Sequence, residues 1–329
     1  FLVAAAGFSE TLFLVPDRVF DGRSVHSDWV VLVEGERVVA AGPATEVEPP
    51  AGARRVDLAG ATLLPGLIEG HSHLLLYPYD QAAWNDQVLA ESEAERVARA
   101  TVHARETLLA GFTTVRDLGT EGAGYADVGL KRAIERGIIP GPRMLIATRA
   151  LVATGSYGPK GFAPEHDIPL GAEVADGVEG LTRAVRDQIG KGADWIKVYA
   201  DYRWGPAGEA LPTYSLEELE AIVDTAASSG RPTVAHASTP EGMRRAVLAG
   251  VETIEHGDGG TREVFDLMAE HGVALCPTLA AADAIEQYRG WTKGTKPEPE
   301  RLRTKRQSFR LAMEAGVLIC NGSDSGVFA

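Results

Sequence analysis

Short apolar runs of strand length fill the first part of the chain. They cover residues 12–15, 29–33, 37–41, 54–58 and 61–64. Glu34-Gly35-Glu36, between the second and third runs, is typical of a hairpin turn because glycine tolerates the backbone angles that such turns need. We interpret residues 1–64 as the N-terminal part of a small β-sandwich domain.

After Pro65-Gly66 the pattern changes to strand, loop and amphipathic helix, repeated. Six predicted helices end in a glycine, which caps a helix in the left-handed conformation. These glycines are Gly111, Gly137, Gly192, Gly230, Gly250 and Gly316. Eight strands are predicted to begin near Leu67, Phe112, Arg143, Trp195, Pro232, Glu252, Val273 and Val317.

Eight strand–helix units over about 260 residues match the usual size of an α/β protein of the (β/α)8 TIM barrel type. We therefore interpret residues 65–329 as one barrel domain. A doubly wound open sheet is the competing architecture, but no glycine-rich phosphate-binding turn follows an early strand. In a barrel, the site is expected at the C-terminal ends of the strands.

Three connections after strands exceed the usual length of such loops, at residues 148–175, 201–213 and 279–299. They carry glycine, proline and aromatic residues. Long loops on the catalytic rim of a barrel usually shape the substrate pocket, so we predict that role for all three.

Composition narrows the class of protein. With 329 residues and 45% hydrophobic content, the chain has enough apolar material for one large core. The net charge of −14 comes from scattered acidic residues. It argues against nucleic acid or an anionic membrane as a partner, because both are negatively charged. No apolar run approaches the roughly 20 residues of a membrane span. We expect a cytoplasmic protein, with residues 1–7 as the alternative remnant of a signal peptide.

Polar residues end several of the predicted barrel strands. Any one of them has a simpler explanation, such as a hydrogen-bonded core histidine or a helix-capping aspartate. Six of them at strand ends, on the face where a barrel places its site, instead predict a metal centre. The six are His71, His73, Lys197, His236, His256 and Asp324.

Lys197 is the unusual member of this set, because an ammonium group has no lone pair for a metal. It fits if CO₂ has added to the amine and formed a carbamate, whose two oxygens can each bind an ion. We therefore predict two divalent metals about 3.5 to 4 Å apart.

With these residues in place, the sequence resembles the binuclear metal-dependent amidohydrolase superfamily. More narrowly, it resembles the Xaa-Pro dipeptidase (prolidase-like) and imidazolonepropionase-related branch, from about Thr11 to the end of the chain. The motifs are His71-Ser72-His73 after Pro-Gly-Leu-Ile, Lys197 in Ile-Lys-Val-Tyr, His236, Ile254-Glu255-His256-Gly257 and Gly322-Ser323-Asp324.

The resemblance implies a ligand assignment. His71, His73 and Asp324 would hold the more buried metal, His236 and His256 the more exposed one, and carboxylated Lys197 would bridge them. Zn²⁺ is the implied ion, with Mn²⁺, Co²⁺ or Fe²⁺ as alternatives, and the assembly would be a homo-oligomer. Family members continue for some tens of residues past the aspartate, so the barrel is expected to lack its C-terminal end.

The expected reaction is hydrolysis of an amide bond by a metal-bridging hydroxide, with Asp324 as general base and then general acid. The expected substrate is an Xaa-Pro dipeptide or an N-acyl amino acid. The alternatives are an ochratoxin-like aromatic N-acyl amino acid toxin, a cyclic amide or a urea compound. A non-catalytic scaffold relative is a further alternative from another class, although such relatives typically lose ligands and none is lost here.

Substrate contacts are assigned more loosely. Tyr199 shares the strand face of Lys197 and is interpreted either as a hydrogen-bond donor to the oxyanion or as a packed aromatic. Tyr157, Tyr202 and Arg203 lie on the long loops, where the arginine suits a substrate carboxylate or a surface role. Trp84 is interpreted as a pocket wall, a packing residue or a subunit contact.

Overall fold

A computed structural model describes residues 10–328 of the chain. The chain divides between Gly66 and Leu67 into two compact units. The apolar opening, residues 1–7, lies outside the described residues. Over residues 10–328, no helix combines the length and the hydrophobicity needed to cross a bilayer.

The first unit contains one five-stranded sheet. Its order is β2-β1-β3-β4, with β5 parallel to β1 on the other side. The predicted turn at Gly35 joins β3 to β4. The two strands predicted at 54–58 and 61–64 form a single strand, because a register shift opposite Pro16 absorbs the glycine between them. The strands are β1 Thr11–Phe20, β2 Val25–His26, β3 Trp29–Glu34, β4 Arg37–Pro43 and β5 Arg54–Leu63.

The second unit alternates parallel strands with helices. Its strands are β6 Leu67–Ser72, β7 Phe112–Asp117, β8 Arg143–Ile146, β9 Leu151–Val152, β10 Glu173–Val174, β11 Ile196–Tyr199, β12 Asp201–Arg203, β13 Ala210–Pro212, β14 Thr233–Ala237, β15 Thr253–His256 and β16 Ala274–Cys276. Its helices are α1 Trp84–Leu89, α2 Glu93–Leu109, α3 Ala126–Glu135, α4 Gly177–Lys191, α5 Leu216–Ala227, α6 Pro240–Ala249, α7 Arg262–His271, α8 Leu279–Tyr288 and α9 Glu300–Glu314.

Backbone hydrogen bonds link the parallel strands into a closed order. β6, β7 and β8 are paired, and β11, β14, β15 and β16 form a second paired series. The amides of Asp194 and Trp195 donate to the Ile146 carbonyl, at 2.8 and 3.1 Å, and so join β8 to β11. The predicted fold class, an α/β barrel with a small N-terminal β unit, is confirmed.

Residues 318–325 take the eighth strand position, between β16 and β6. On one side, the Leu275 amide donates to the Leu318 carbonyl at 2.8 Å. On the other side, the Gly70 amide donates to the Asn321 carbonyl and the Asp324 amide to the His71 carbonyl. A side chain at residue 70 would meet the Asn321 oxygen at 2.5 Å, so only glycine permits this approach.

The predicted helix ends of the barrel are confirmed, and one predicted loop is partly wrong. All six glycines predicted to end helices have positive φ values, and Gly192 and Gly250 are the left-handed C-caps of α4 and α6. The loop predicted at 279–299 is wrong in its first half, because residues 279–288 form α8. Its alanine-rich sequence favours helix strongly enough to shorten the loop.

Candidate metal centre

Three of the sequence-predicted ligands meet at the junction of β6 with the eighth strand. Nε2 of His71 lies 3.4 Å from Oδ1 of Asp324, and Nε2 of His73 lies 3.3 Å from the same oxygen. Each of the three residues offers a ligand atom within 4.8 Å of the others. This arrangement suits one ion bound by two imidazoles and a carboxylate.

Two further histidines lie beside this group, on the ends of β14 and β15. The rings of His236 and His256 are 4.4 Å apart between centroids, and the ring of His256 is 5.0 Å from that of His71. The four imidazoles therefore form a continuous series across the strand ends. Such a series has enough nitrogen donors for a second ion beside the first.

Hydrogen bonds orient the first two imidazoles. Nδ1 of His71 lies 2.6 Å from a carboxylate oxygen of Glu255, and Nδ1 of His73 lies 2.9 Å from the carbonyl oxygen of Gly119. Both nitrogens must carry the proton in these bonds, since both partners are acceptors. Nε2 is therefore the atom of each ring that faces Asp324 and would bind a metal, which is how metal-binding histidines are usually held.

His256 is held in a similar way from β15. Its Nδ1 lies 2.8 Å from the Thr278 hydroxyl. Burial lowers the pKa of His256 well below its ordinary value, and it does the same for His71 and His236. These rings are therefore neutral near pH 7, which is the state that binds a metal.

His73 and Asp324 form a charged pair. Burial opposes charge on both, but their hydrogen bond and mutual attraction raise the pKa of His73 to about 9. Burial likewise opposes ionisation of Asp324, and the neighbouring His71 and His73 outweigh it, lowering the carboxyl pKa to about 2. A metal ion and this imidazolium proton would compete for the same lone pair.

Lys197 lies beneath the histidines in the middle of β11. It is 1% exposed, and its Nζ forms no hydrogen bond or ion pair with any residue in 10–328. Burial lowers the pKa of this amine. Its Nζ lies 5.6 Å from the centroid of the Tyr199 ring. A buried amine without a hydrogen bond or an ion pair is costly, and a carbamate formed on it would instead offer oxygen atoms to a metal. Together with the free Nε2 atoms, this observation shows that the donor set suits divalent metals.

A cavity of about 560 Å³ opens over these side chains. Tyr157, Tyr199, Tyr202 and Arg203 line it together with the four histidines and Asp324. Trp84 and Lys197 are not part of its lining. Trp84 instead packs edge-on against Tyr157, with ring centroids 5.4 Å apart.

The chain matches the model of the amidohydrolase family over residues 62–329. It belongs to that family.

Known relatives of this amidohydrolase cover most of its length. The ochratoxinase of Aspergillus niger is 30% identical over 290 residues, which are 80% of this chain and 58% of that protein. A crystal structure of a Xaa-Pro dipeptidase with bound methionine in the active site has a TM-score of 0.82 and 30% identity, covering 97% of this chain and 80% of that chain. A prolidase complexed with N-methylphosphonate-L-proline has a TM-score of 0.80 and 33% identity, covering 96% and 78%.

Several buried acidic residues that support the amidohydrolase site were missed by the sequence interpretation. Glu255 accepts hydrogen bonds from His71, from Arg116 at 2.8 Å and from Thr253 at 2.6 Å. Glu69 accepts from the amides of His71 and Ser323 and so holds the two ligand-bearing strands together. A glutamate directly before a strand-end histidine was the only available signal for Glu255.

Backbone strain is concentrated around the cavity of the amidohydrolase. Within residues 10–328, five non-glycine residues have positive φ, and all but Thr148 line the cavity. The four are Glu121, His256, Thr278 and Asp324, with φ of 48°, 75°, 45° and 65°. Such conformations cost roughly 1 to 3 kcal/mol each and usually occur where a side chain must be aimed precisely.

Proposed function

We propose that this amidohydrolase is a dinuclear metal-dependent hydrolase that cleaves the amide bond of an Xaa-Pro dipeptide or an N-acyl amino acid. The observation that carries the proposal is the convergence of four imidazoles and Asp324 above the buried Lys197, whose amine has no hydrogen bond or ion pair within residues 10–328. The likeness to a prolidase and a Xaa-Pro dipeptidase supports the substrate class. We expect a homo-oligomer, since closed symmetry is the general rule for such enzymes.

Each residue has a proposed place in the metal centre. His71, His73 and Asp324 would hold one ion, His236 and His256 a second, and carboxylated Lys197 would bridge the two. Zn²⁺ suits this nitrogen and oxygen donor set. When bound, the two ions supply Lewis-acid polarisation of the scissile carbonyl and lower the pKa of water.

Asp324 would carry the proton of the reaction. Its carboxylate lines the cavity and is held ionised, so it can accept a proton from the attacking water. The same carboxyl group would then deliver that proton to the leaving nitrogen, giving a carboxylate and an amine.

The aromatic side of the cavity would position the substrate. The ring of Tyr199 stacks on that of His236 with centroids 4.5 Å apart. Its hydroxyl group would donate a hydrogen bond to the developing oxyanion. Tyr157 and Tyr202 form the wall, and Trp84 supports it from behind. Arg203 has no carboxylate partner among the described residues and would pair with the substrate carboxylate.

A second candidate substrate is an aromatic N-acyl amino acid of the ochratoxin kind. The 30% identity to the Aspergillus niger ochratoxinase favours it, as do the three tyrosine rings along one wall. The same residues would act on either substrate, because the amide bond is common to both.

Metal analysis combined with a substrate screen tests the proposed function. Protein prepared with Zn²⁺ and bicarbonate should carry about two metal equivalents and hydrolyse members of a panel of Xaa-Pro dipeptides and N-acyl amino acids. Lys197→Met should lose metal and more than about 100-fold of the activity, since losing even an indirect metal support costs 10- to 100-fold.

Lys131→Met is the matched control, because Lys131 pairs with Asp194 at 2.7 Å and does not line the cavity. It should keep both metals and its activity. Two metals and full turnover in Lys197→Met, or full turnover after complete metal removal, would contradict the proposal.

A further inference from the structure

Two carboxylates line the cavity without being predicted metal ligands, Glu121 and Asp258, and Asp258 is paired with Lys305. Glu121 follows β7, lines the cavity beside the metal centre and is 4% exposed. Its Oε2 accepts two hydrogen bonds, from the Trp84 indole at 2.9 Å and from the Tyr157 hydroxyl at 2.6 Å. Among residues 10–328, no donor bonds to the other oxygen, Oε1, and no lysine or arginine forms an ion pair with the carboxylate.

This arrangement is costly for the free protein. The charges of His73 and Arg96 lie near the Glu121 carboxylate, but neither forms an ion pair with it. A buried carboxylate oxygen without a donor is disfavoured, and two neutral donors could be accepted equally well by a glutamine. The chain also holds Glu121 at a positive φ of 48°. A glutamate whose Oε1 faces the cavity without a donor is explained if a cation enters the cavity and pairs with it.

The surroundings of Glu121 suit an organic cation. The rings of Tyr157, Tyr199 and Tyr202 pack with centroids 4.8 to 5.5 Å apart along the same cavity. Aromatic faces attract ammonium groups, and such an attraction adds to that of a carboxylate.

The distance to the metal centre also suits a substrate group. The point where a Cβ on Gly119 would stand is 3.4 Å from Oε1 of Glu121 and 3.7 Å from Cε1 of His73. The free oxygen of Glu121 therefore adjoins a predicted metal ligand. In a dipeptide, the α-ammonium is separated from the scissile carbonyl by a single carbon atom, so a group that binds it must lie beside the metal centre.

We propose that Glu121 binds the free α-ammonium group of the substrate's N-terminal residue, so that the enzyme selects unblocked dipeptides over N-acyl amino acids. This inference rests on the proposed function and decides between the two substrate classes it names. Arg203 lines the same cavity and would pair with the substrate carboxylate, so the two residues together would bind a zwitterionic substrate.

Ligand binding by the metal-loaded protein tests the assignment without turnover. Isothermal titration compares L-phenylalanine with N-acetyl-L-phenylalanine, which differ in the ammonium group. Wild type should bind the free amino acid at least about tenfold more tightly. Glu121→Gln keeps an acceptor for Trp84 and Tyr157 but removes the charge. It should therefore lower the affinity for L-phenylalanine by about 10- to 100-fold and change the affinity for N-acetyl-L-phenylalanine by less than about threefold.

Glu91→Gln is the matched control. Glu91 also accepts a hydrogen bond from a tyrosine, Tyr77, and lies outside the cavity lining. It should leave both affinities unchanged. Equal wild-type affinities for the two ligands, absence of binding included, or an unchanged preference in Glu121→Gln would overturn the inference.

Turnover of L-phenylalanyl-L-proline, measured on the same preparations, separates this inference from the function it rests on. If the protein binds L-phenylalanine more tightly than N-acetyl-L-phenylalanine but hydrolyses no amide, the result would support the role of Glu121 and contradict the proposed function. Hydrolysis of the dipeptide without that preference in binding would support the function and overturn the role of Glu121.

Discussion

At one end of the cavity the predicted metal ligands stand on strand ends and are fixed by hydrogen bonds. At the other end, Tyr157 lies on a loop and Tyr202 in the short strand β12, and both contact their neighbours mainly through their rings. His71 and His73 each have a protein acceptor on Nδ1, whereas Tyr202 contacts Tyr157 and Tyr199 through its ring. The metal end is therefore the more rigidly determined half of the site.

This difference separates the reaction from its specificity. Strand-end side chains move little because the sheet holds their backbone, and they can support one chemistry in many relatives. Loop side chains vary more easily and can fit that chemistry to different substrates. Substitutions at the metal end should therefore remove activity, and substitutions at the aromatic end should change substrate preference.

The largest effect is expected from Asp324→Asn. Loss of a proton-transferring carboxylate should lower kcat by about 10²- to 10⁴-fold, measured together with metal content so that chemistry and metal loss are separated. Asp127→Asn is the control, because Asp127 is a buried carboxylate that accepts hydrogen bonds from the amides of Val128 and Thr148 and does not line the cavity. Unchanged turnover with both metals bound would refute the role of Asp324.

A smaller effect is expected from Glu255→Gln. The change weakens the group that orients His71, so metal affinity should fall by about 10- to 100-fold while added metal restores much of the activity. Competition with a chelator measures it. Glu173→Gln, which removes a carboxylate paired with Arg149 at 3.2 Å, should leave metal affinity unchanged. Equal metal affinity in wild type and Glu255→Gln would mean that the metal end does not depend on this hydrogen bond.

The smallest effect is expected from Arg203→Gln at the other end of the cavity. KM for substrates with a free carboxylate should rise about tenfold with little change in kcat, because the pairing is equally strong in ground and transition states. Amidated substrates should show no such difference. The control is Arg143→Gln, whose guanidinium contacts the Thr114 hydroxyl outside the cavity. A fall in kcat with KM unchanged would place Arg203 in the chemistry.

The barrel was predictable from sequence because apolar strands and glycine-ended helices repeat along it. Period-two alternation, however, places Glu255 and His256 on opposite faces of β15. The positive φ of His256 breaks that alternation, and both side chains reach His71. A similar backbone turn places Glu121 in the cavity. Such local reversals carry no hydrophobic signature, so they could not be read from the pattern.

The eighth strand has a consequence for biosynthesis. The amide of Ser323 bonds to Glu69 across 254 positions of sequence, so the first and last barrel strands meet only after the ribosome has made everything between them. Such distant pairing forms late, because a long chain segment must close first. Asp324 is the last in sequence of the six predicted ligands, so binding of a metal by His71, His73 and Asp324 together should follow translation of residue 324.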